Sequence, residues 1–459
     1  MAPPLKLGLV SLGCPKNLAD SEVALGLAKA AGFELTSHPE EADCLVVNTC
    51  GFLESARAES INTILEMAAY KQEGRCRGLV VTGCMGERYA LELANSLPEV
   101  DAILGTTDYQ RLPALLQRLA AGGAAEVVSP AVGSRLYPAE LPREPLTAAP
   151  YRYVKIGDGC ANGCTFCSIP LMRGRFASPP VDDLLRQMEG LAGSGVREAI
   201  LIAQDTTAYG VDRPEAGEEL ATLLRALERQ GAVEWIRLLY AYPGRLTAEV
   251  IELLATGRHL LPYVDLPLQH IDDHLLRRMG RRGSEPESRA LVARLREAGI
   301  ALRTTFITGF PGETEAAFER LAAFVTEGHF DWLGCFTYSP EEGTAAVGLA
   351  GAVDPEVAAA RAERLMELQG EVSRARLAAR VGTVEAVLVE GESAESDLLL
   401  AGRTRWMAPE IDGVVYLTDS DGEPPVAGEI VAVEITRSHD HDLEGRVVRA
   451  RVVRPGGGE

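Results

Sequence analysis

A chain of 459 residues with 46% hydrophobic composition is too long for one ordinary core and has apolar mass for two or three. No apolar run reaches the roughly 18 residues of a membrane span, and the opening Met-Ala-Pro-Pro-Leu-Lys lacks the basic start and long apolar stretch of a secretory signal, so a globular, cytoplasmic protein without membrane contact is expected. The net charge of -21 argues against general nucleic-acid binding, which needs clustered Lys and Arg, and favours a basic partner, although acidity also serves plain solubility. Nine cysteines are too sparse for a disulfide scaffold and suit metal ligands plus buried spares.

Residues 1–120 alternate short apolar runs, at 5–12, 44–48 and 78–82, with helical stretches around 21–31 and 54–72. This is the pattern of an open parallel α/β sheet. Each run is closed by a cysteine: Leu-Gly-Leu-Val-Ser-Leu-Gly-Cys14, Leu-Val-Val-Asn-Thr-Cys50 and Leu-Val-Val-Thr-Gly-Cys84. Loops after the strand carboxyl ends gather along one edge of such a sheet, so Cys14, Cys50 and Cys84 are expected to converge there. Cys44, Cys76 and Cys335 lack this placement and read as core thiols.

A Pro- and Ala-rich stretch over 121–150 reads as a linker. Within 151–375, strand-like runs at 153–157, 199–203, 235–240, 263–267, 302–308 and 331–338 alternate with amphipathic helices, which suggests a partial or full (β/α) barrel with its chemistry at the strand ends. Asp354-Pro355 is a good helix start, with a stop at Gly382. Residues 376–459 turn to alternating β pattern with Asp-Gly and Gly-Glu turns and read as a small β-barrel. The expected fold class is therefore α/β multidomain with a β-barrel at the carboxyl end.

The densest chemistry is Cys160-Ala-Asn-Gly-Cys164-Thr-Phe-Cys167. Three thiolates within eight residues can hold three corners of a 4Fe-4S cubane and leave one iron open to substrate. Structural zinc is the competing reading, but it wants a fourth ligand; no second C-x-x-C occurs, and His270 and His274 have no cysteine neighbours. Gly159-Cys160-x3-Cys164-x-Phe166-Cys167-x-Ile169-Pro170-x2-Arg173-Gly174 resembles the radical S-adenosylmethionine enzymes. The resemblance implies that the open iron chelates S-adenosylmethionine and that an electron from the cluster cleaves it to a 5'-deoxyadenosyl radical, with Phe166 near the adenine. Thr305-Phe306-Ile307-Thr308-Gly309-Phe310-Pro311-Gly312-Glu313-Thr314 resembles that family's strand and turn contacting adenine and ribose, which implies cofactor contacts at Thr305, Ile307 and Gly309; it is also an ordinary strand-turn-helix sequence.

Four further groups stand at strand ends or near the cysteines. Gln204-Asp205-Thr206-Thr207 could orient substrate or the methionine moiety, or be a polar turn. His270 could be a hydrogen-bonding wall residue or a structural histidine. Arg281 and Arg282, with Arg277 and Arg278 upstream, read as a solvated face in preference to a carboxylate site. Arg173 and Arg175 follow the cluster motif closely, where cations would raise its potential or hold an acidic target.

Taken together, Cys14, Cys50 and Cys84, the radical-type cysteines and the small C-terminal β-domain resemble the methylthiotransferase family over essentially the whole chain. Membership implies a second 4Fe-4S cluster on Cys14, Cys50 and Cys84, two uses of S-adenosylmethionine, a low-potential electron donor, a TRAM-like substrate-reading domain and insertion of a methylthio group into an unactivated C-H bond. Gly13-Cys14-Pro15-Lys16-Asn17 and Gln204-Asp205-Thr206-Thr207-Ala208-Tyr209-Gly210 look like the RimO branch, which modifies the β-carbon of an aspartate in small-subunit ribosomal protein S twelve. The alternative is the MiaB-like branch, acting on transfer-RNA adenosine; a structural metal in an interaction scaffold is the non-enzymatic alternative. Residues 376–459 carry 9 Arg, no Lys and 16 Asp plus Glu, a net of -7 against -14 for the other 375 residues. An acidic reader suits a basic ribosomal protein and repels a phosphate backbone. Ala161 and Pro179 depart from the usual family pattern without removing a cluster ligand.

Overall fold

The computed structural model describes residues 3–123, 126–127, 136, 141–147, 150–393 and 395–448. Most of the expected linker and residues 449–459 lie outside the described residues.

The first unit is a six-stranded parallel sheet built from β1 (Lys6–Ser11), β2 (Glu34–Leu35), β3 (Cys44–Thr49), β4 (Gly78–Gly83), β5 (Ala102–Ile103) and β6 (Glu126–Val127), in the order β2-β1-β3-β4-β5-β6. Its helices are α1 (Pro15–Ala30), α2 (Glu54–Glu73), α3 (Cys84–Arg88), α4 (Ala90–Ser96) and α5 (Leu112–Ala120). All residues of β3 and β4 are buried, as expected of central parallel strands covered by helices on both faces. The two-residue strands β2, β5 and β6 are too short to show a sequence pattern. The expected helix at 21–31 begins six residues earlier, with Pro15 in its first turn and Cys14 at the N-cap position. Its polar residues Lys16, Asn17, Asp20, Ser21 and Glu22 are buried, because α1 is packed between its own sheet and the next unit.

That second unit has six parallel strands in sequential order, β7 (Tyr151–Lys155), β8 (Glu198–Ile202), β9 (Trp235–Leu238), β10 (Leu260–Asp265), β11 (Ala301–Thr308) and β12 (Trp332–Thr337). The sheet is open between β7 and β12, so the barrel is partial. The helices are α6 (Pro170–Arg173), α7 (Val181–Gly193), α8 (Leu220–Gln230), α9 (Ala248–Thr256), α10 (Asp273–Arg278), α11 (Glu285–Glu297), α12 (Glu315–Thr326) and α13 (Pro355–Ala378). Strand β11 alternates: Leu302, Thr304, Phe306 and Thr308 are buried, while Arg303, Thr305 and Ile307 are half-buried on the opposite face. Asp354 caps α13, accepting from the Glu356 N–H at 2.8 Å.

The third unit is a closed barrel, β13-β14-β15-β17-β16, formed by β13 (Val384–Ser393), β14 (Ser396–Thr404), β15 (Val415–Ser420), β16 (Ile430–Ser438) and β17 (Leu443–Val447). Residue 376, where this domain was expected to open, lies near the end of α13. The barrel docks on the amino ends of the second sheet. Glu198 at the start of β8 accepts from Arg237 Nε at 2.6 Å and from Arg403 of β14 at 2.7 Å, all three fully buried. Arg237 and Arg403 also donate to the carbonyls of Arg405 (3.0 Å) and Met407 (2.9 Å). Trp235, Trp332 and Trp406, the chain's three tryptophans, share the apolar cluster at this junction.

Candidate functional site

Strands β1, β3 and β4 run in register, pairing Ser11 with Asn48 and Thr49 with Gly83, so the turns that follow them lie side by side. Gly13 takes φ +89, and a Cβ there would sit 3.1 Å from Cys50 Sγ; the turns carrying Cys14 and Cys50 therefore touch. Gly83 takes φ +92, where a Cβ would meet the Thr49 carbonyl at 2.4 Å. One side chain ties the three turns together. The Asn17 amide donates to the carbonyls of Leu12 (3.0 Å) and Thr49 (2.9 Å), and its oxygen accepts from the Cys84 thiol at 3.6 Å. The convergence expected of Cys14, Cys50 and Cys84 is thus carried by Asn17, which the sequence reading did not single out.

The second set occupies the loop after β7. Gly159 takes φ +76, and a Cβ there would lie 2.3 Å from the Arg175 carbonyl, so the chain can enter the loop only without a side chain. The loop is fastened by Cys160 N–H to Gly174 O (3.2 Å), Asn162 N–H to Cys160 Sγ (3.4 Å) and Thr165 N–H to Met279 O (2.9 Å). Phe166 packs edge-on to Phe310, ring centroids 6.4 Å apart, in a cluster that includes Ile307 and Tyr338. The structure therefore brings Phe166 and Ile307 together, with Thr305 on the same face of β11 as Ile307, and Gly309 (φ +74) in the turn that follows. Gln204 Nε2 donates to Asp158 at 3.0 Å, while its buried Oε1 has no donor among the described residues.

The two sets face each other across the boundary between the first two units. Arg173, six residues after Cys167, was expected near that cluster; α6 instead turns it to the other set, where Nε donates to Cys84 Sγ at 3.3 Å. The same guanidinium contacts Asn17 Oδ1 (2.6 Å), Asp20 (2.7 Å) and Asp158 (3.3 Å). Lys155 completes the network, 2.7 Å from Asp20 and 2.8 Å from Asp158. Burial alone would raise the Asp158 carboxyl, but the Lys155 and Arg173 charges more than reverse this and hold it well below the ordinary range. Ser168, next to Cys167, donates to the carbonyl of Phe52, two residues after Cys50, at 3.4 Å.

One other expectation needs correction, and the choice left open at His270 is narrowed. Arg281 is not on a solvated face: it is half-buried, stacks 4.4 Å from the Tyr242 ring centroid and points toward Cys164 Sγ at 3.9 Å, whereas Arg277 and Arg282 are exposed. His270 is fully buried; its Nδ1 accepts from the Asp272 N–H at 2.9 Å, so Nε2 donates to Glu313 at 3.3 Å. Glu313 in turn accepts from the Gly309 N–H at 2.6 Å, which makes His270 a brace for the turn at Gly309.

The donor chemistry suits iron-sulfur clusters. A cubane asks for separate thiolates, one per iron, and each set offers three. Burial pushes the Cys50 and Cys160 thiols up, and those of Cys84 and Cys167 up to about 12, so binding iron must displace protons from them.

Three family descriptions match the chain: the Radical SAM superfamily over 154–325, Uncharacterized protein family UPF0004 over 6–105 and the TRAM domain over 381–448. The ribosomal protein uS12 methylthiotransferase RimO of Trichlorobacter lovleyi is 47% identical, covering 96% of this chain and 98% of its own length. The chain belongs to the RimO family. The RimO enzyme of Syntrophotalea carbinolica is 46% identical over 96% of this chain and 97% of its own. A RimO-family protein is a radical SAM methylthiotransferase, an enzyme of S-adenosylmethionine and 4Fe-4S chemistry. The radical S-adenosylmethionine methyltransferase TsrM of Kitasatospora setae, solved with cobalamin and a [4Fe-4S] cluster, shares the fold at TM-score 0.54 and 16% identity, over 74% of this chain and 73% of its own. No helix among the described residues is long and apolar enough to cross a membrane.

Proposed function

We propose that this protein transfers a methylthio group to the β-carbon of an aspartate in ribosomal protein uS12, working in the cytoplasm with a low-potential electron donor. The observation that carries the chemistry is the apposition of two three-cysteine sets, with Arg173 reaching from the segment after Cys167 to Cys84 Sγ. In this reading Cys160, Cys164 and Cys167 hold one 4Fe-4S cluster, and Cys14, Cys50 and Cys84 hold a second. When bound, the first cluster and S-adenosylmethionine supply a radical able to remove hydrogen from carbon, and the second holds the sulfur to be transferred. Phe166 and Ile307 would provide the apolar wall against the adenine, Thr305 and Gly309 the edge nearby, and the unpartnered Gln204 Oε1 an acceptor for the methionine amino group.

The choice of uS12 over transfer RNA is supported by the printed names of the relatives and by the acidic C-terminal barrel, which suits a basic protein. Mass spectrometry of uS12 and of bulk transfer RNA from a deletion strain tests the reading. A uS12 lighter by one methylthio substitution is expected; unchanged uS12 with undermodified adenosine would move the protein to the transfer-RNA branch.

A further inference from the structure

The described chain holds six buried cations. Lys155, Arg173, Arg237, Arg361 and Arg403 each lie against a carboxylate. Lys16 does not. It is 7% exposed and, among the described residues, its side chain forms no hydrogen bond or ion pair, although burying an ammonium without a contact partner is costly. Its only close partner is a π face: Nζ stands 2.9 Å from the ring centroid of Tyr240. Tyr240 follows β9 and takes φ +59, a left-handed conformation that a bulky residue adopts only under constraint. Two contacts impose it: the Tyr240 N–H donates to Asp265 at 3.2 Å, and its carbonyl accepts from the Thr206 N–H at 3.0 Å. A strained backbone thus holds an aromatic face beneath a buried ammonium that, among the described residues, has no anion in contact, with Asp265 and Asp158 acting on it only from farther away.

We propose that Lys16 is the residue that grips the side-chain carboxylate of the target aspartate. The inference rests on the substrate reading above. Lys16 lies two residues after Cys14 and against Tyr240, at the carboxyl end of the second sheet's β9, so it stands between the two units that carry the cysteine sets. Phe166, Ile307 and Phe310 form a separate cluster around β11. Of the other cations near the cysteines, Arg173 is held by Asp20 and Asp158, Arg245 by Asp205 (2.6 Å), and Arg303 by Asp265 (3.5 Å) and Asp412 (3.4 Å), while Arg281 donates to the Pro267 carbonyl, stacks on Tyr242 and points toward Cys164 of the other set. The aspartate carboxylate is one bond from the carbon to be modified, so an ammonium that fixes the carboxylate also fixes that carbon. Lys16 is accordingly a positioning and specificity residue, selecting aspartate over asparagine.

The test uses reconstituted holoenzyme, S-adenosylmethionine and two uS12 loop peptides, one with the target Asp and one with Asn in its place. Fluorescence anisotropy should show wild type binding the Asp peptide about 10- to 100-fold more tightly, the range of a charge-assisted hydrogen bond. Lys16→Met should bind both peptides alike, with its loss on the Asp peptide appearing mainly in KM, and Lys16→Arg should restore most of the discrimination. Equal binding of the two peptides by wild type overturns the proposal without recourse to any variant. So does a Lys16→Met protein that weakens both peptides by the same factor, or one that loses its iron, since the residue would then serve the fold or the cluster. A wild type that binds the Asp peptide selectively but does not modify it overturns the substrate reading and leaves the carboxylate grip supported.

Discussion

Replacing Glu198 by Gln should undock the C-terminal barrel. Glu198 is the one carboxylate between two fully buried guanidiniums, accepting from Arg237 at 2.6 Å and Arg403 at 2.7 Å. Without its charge Arg403 keeps Glu390 at 2.8 Å, while Arg237 keeps only carbonyl acceptors among the described residues. Breaking a buried pair by neutralising one partner typically costs 3–5 kcal/mol, because the remaining charge stays buried and uncompensated. At 1.4 kcal/mol per factor of ten, that is about a 10²- to 10⁴-fold rise in the undocked population. Hydrogen exchange over the Thr404, Arg405 and Met407 amides should accelerate by that factor, with amides in the core of β3 and β4 unchanged. Tryptophan fluorescence gives a second reading, since Trp235, Trp332 and Trp406 all lie at the junction and Trp332 Nε1 donates to the Trp406 carbonyl at 3.0 Å. Exchange accelerated by less than about fivefold, or accelerated equally in β3 and β4, would show that the triad does not hold the barrel in place.

Reconstituted wild type should carry about eight irons per chain and Cys14→Ala about four, measured by iron assay, with the radical-type signal retained. Asn17→Ala removes the donor to the Leu12 and Thr49 carbonyls, a cost of about 2–6 kcal/mol for two unpaired acceptors, and should lower the same half of the iron while every cysteine remains. Acid should weaken the junction of the first two units. Because Lys155 and Arg173 outweigh burial and lower the Asp158 carboxyl, its contribution to stability is complete above the unfolded carboxylate range near pH 4 and is lost as pH falls below it. Thermal unfolding of Asp158→Asn against wild type should therefore differ at pH 7 and converge as pH falls below about 4.

The cysteine placement was legible because it is local: a run of Leu and Val, then a turn, then Cys14, Cys50 or Cys84. The six strands of the second sheet were equally visible as apolar runs. What escaped was every polar residue whose partner lies in another unit. Asn17, Asp20 and Lys155 show no periodicity, since a helix or strand face that is buried against charge looks the same in sequence as one that is solvated. That is also why the start of α1 was placed six residues late. Arg173 was misassigned for the opposite reason, closeness in sequence to Cys167: the short helix α6 carries it away from its neighbours toward Cys84. Arg281 read as surface because it stands among Arg277, Arg278 and Arg282, yet it alone of the four stacks on Tyr242.

A buried ion-pair network is weak evidence for stability, and its best-supported use is to fix register. Here the register concerns the two cysteine sets. Asp20 lies on α1, the helix that begins at Cys14, and accepts from both Lys155 and Arg173. Arg173 reaches Cys84, and Asp158, which takes the second bond from each cation, precedes Gly159 and accepts its N–H at 2.9 Å. Asp20 and Cys84 thus join the first unit to Lys155 and Arg173, and Asp158 ties both cations to the start of the loop that carries Cys160, so neither set can shift without breaking a buried charge contact. Two centres held in this way suit a transfer in which hydrogen leaves a carbon toward one side and sulfur arrives from the other, since the substrate carbon must meet both without the enzyme rearranging between the steps. Cys14 is the exposed member of its set and Lys16 follows it on the same turn of α1, so the exposed end of that interface is where a polypeptide carrying an aspartate would enter.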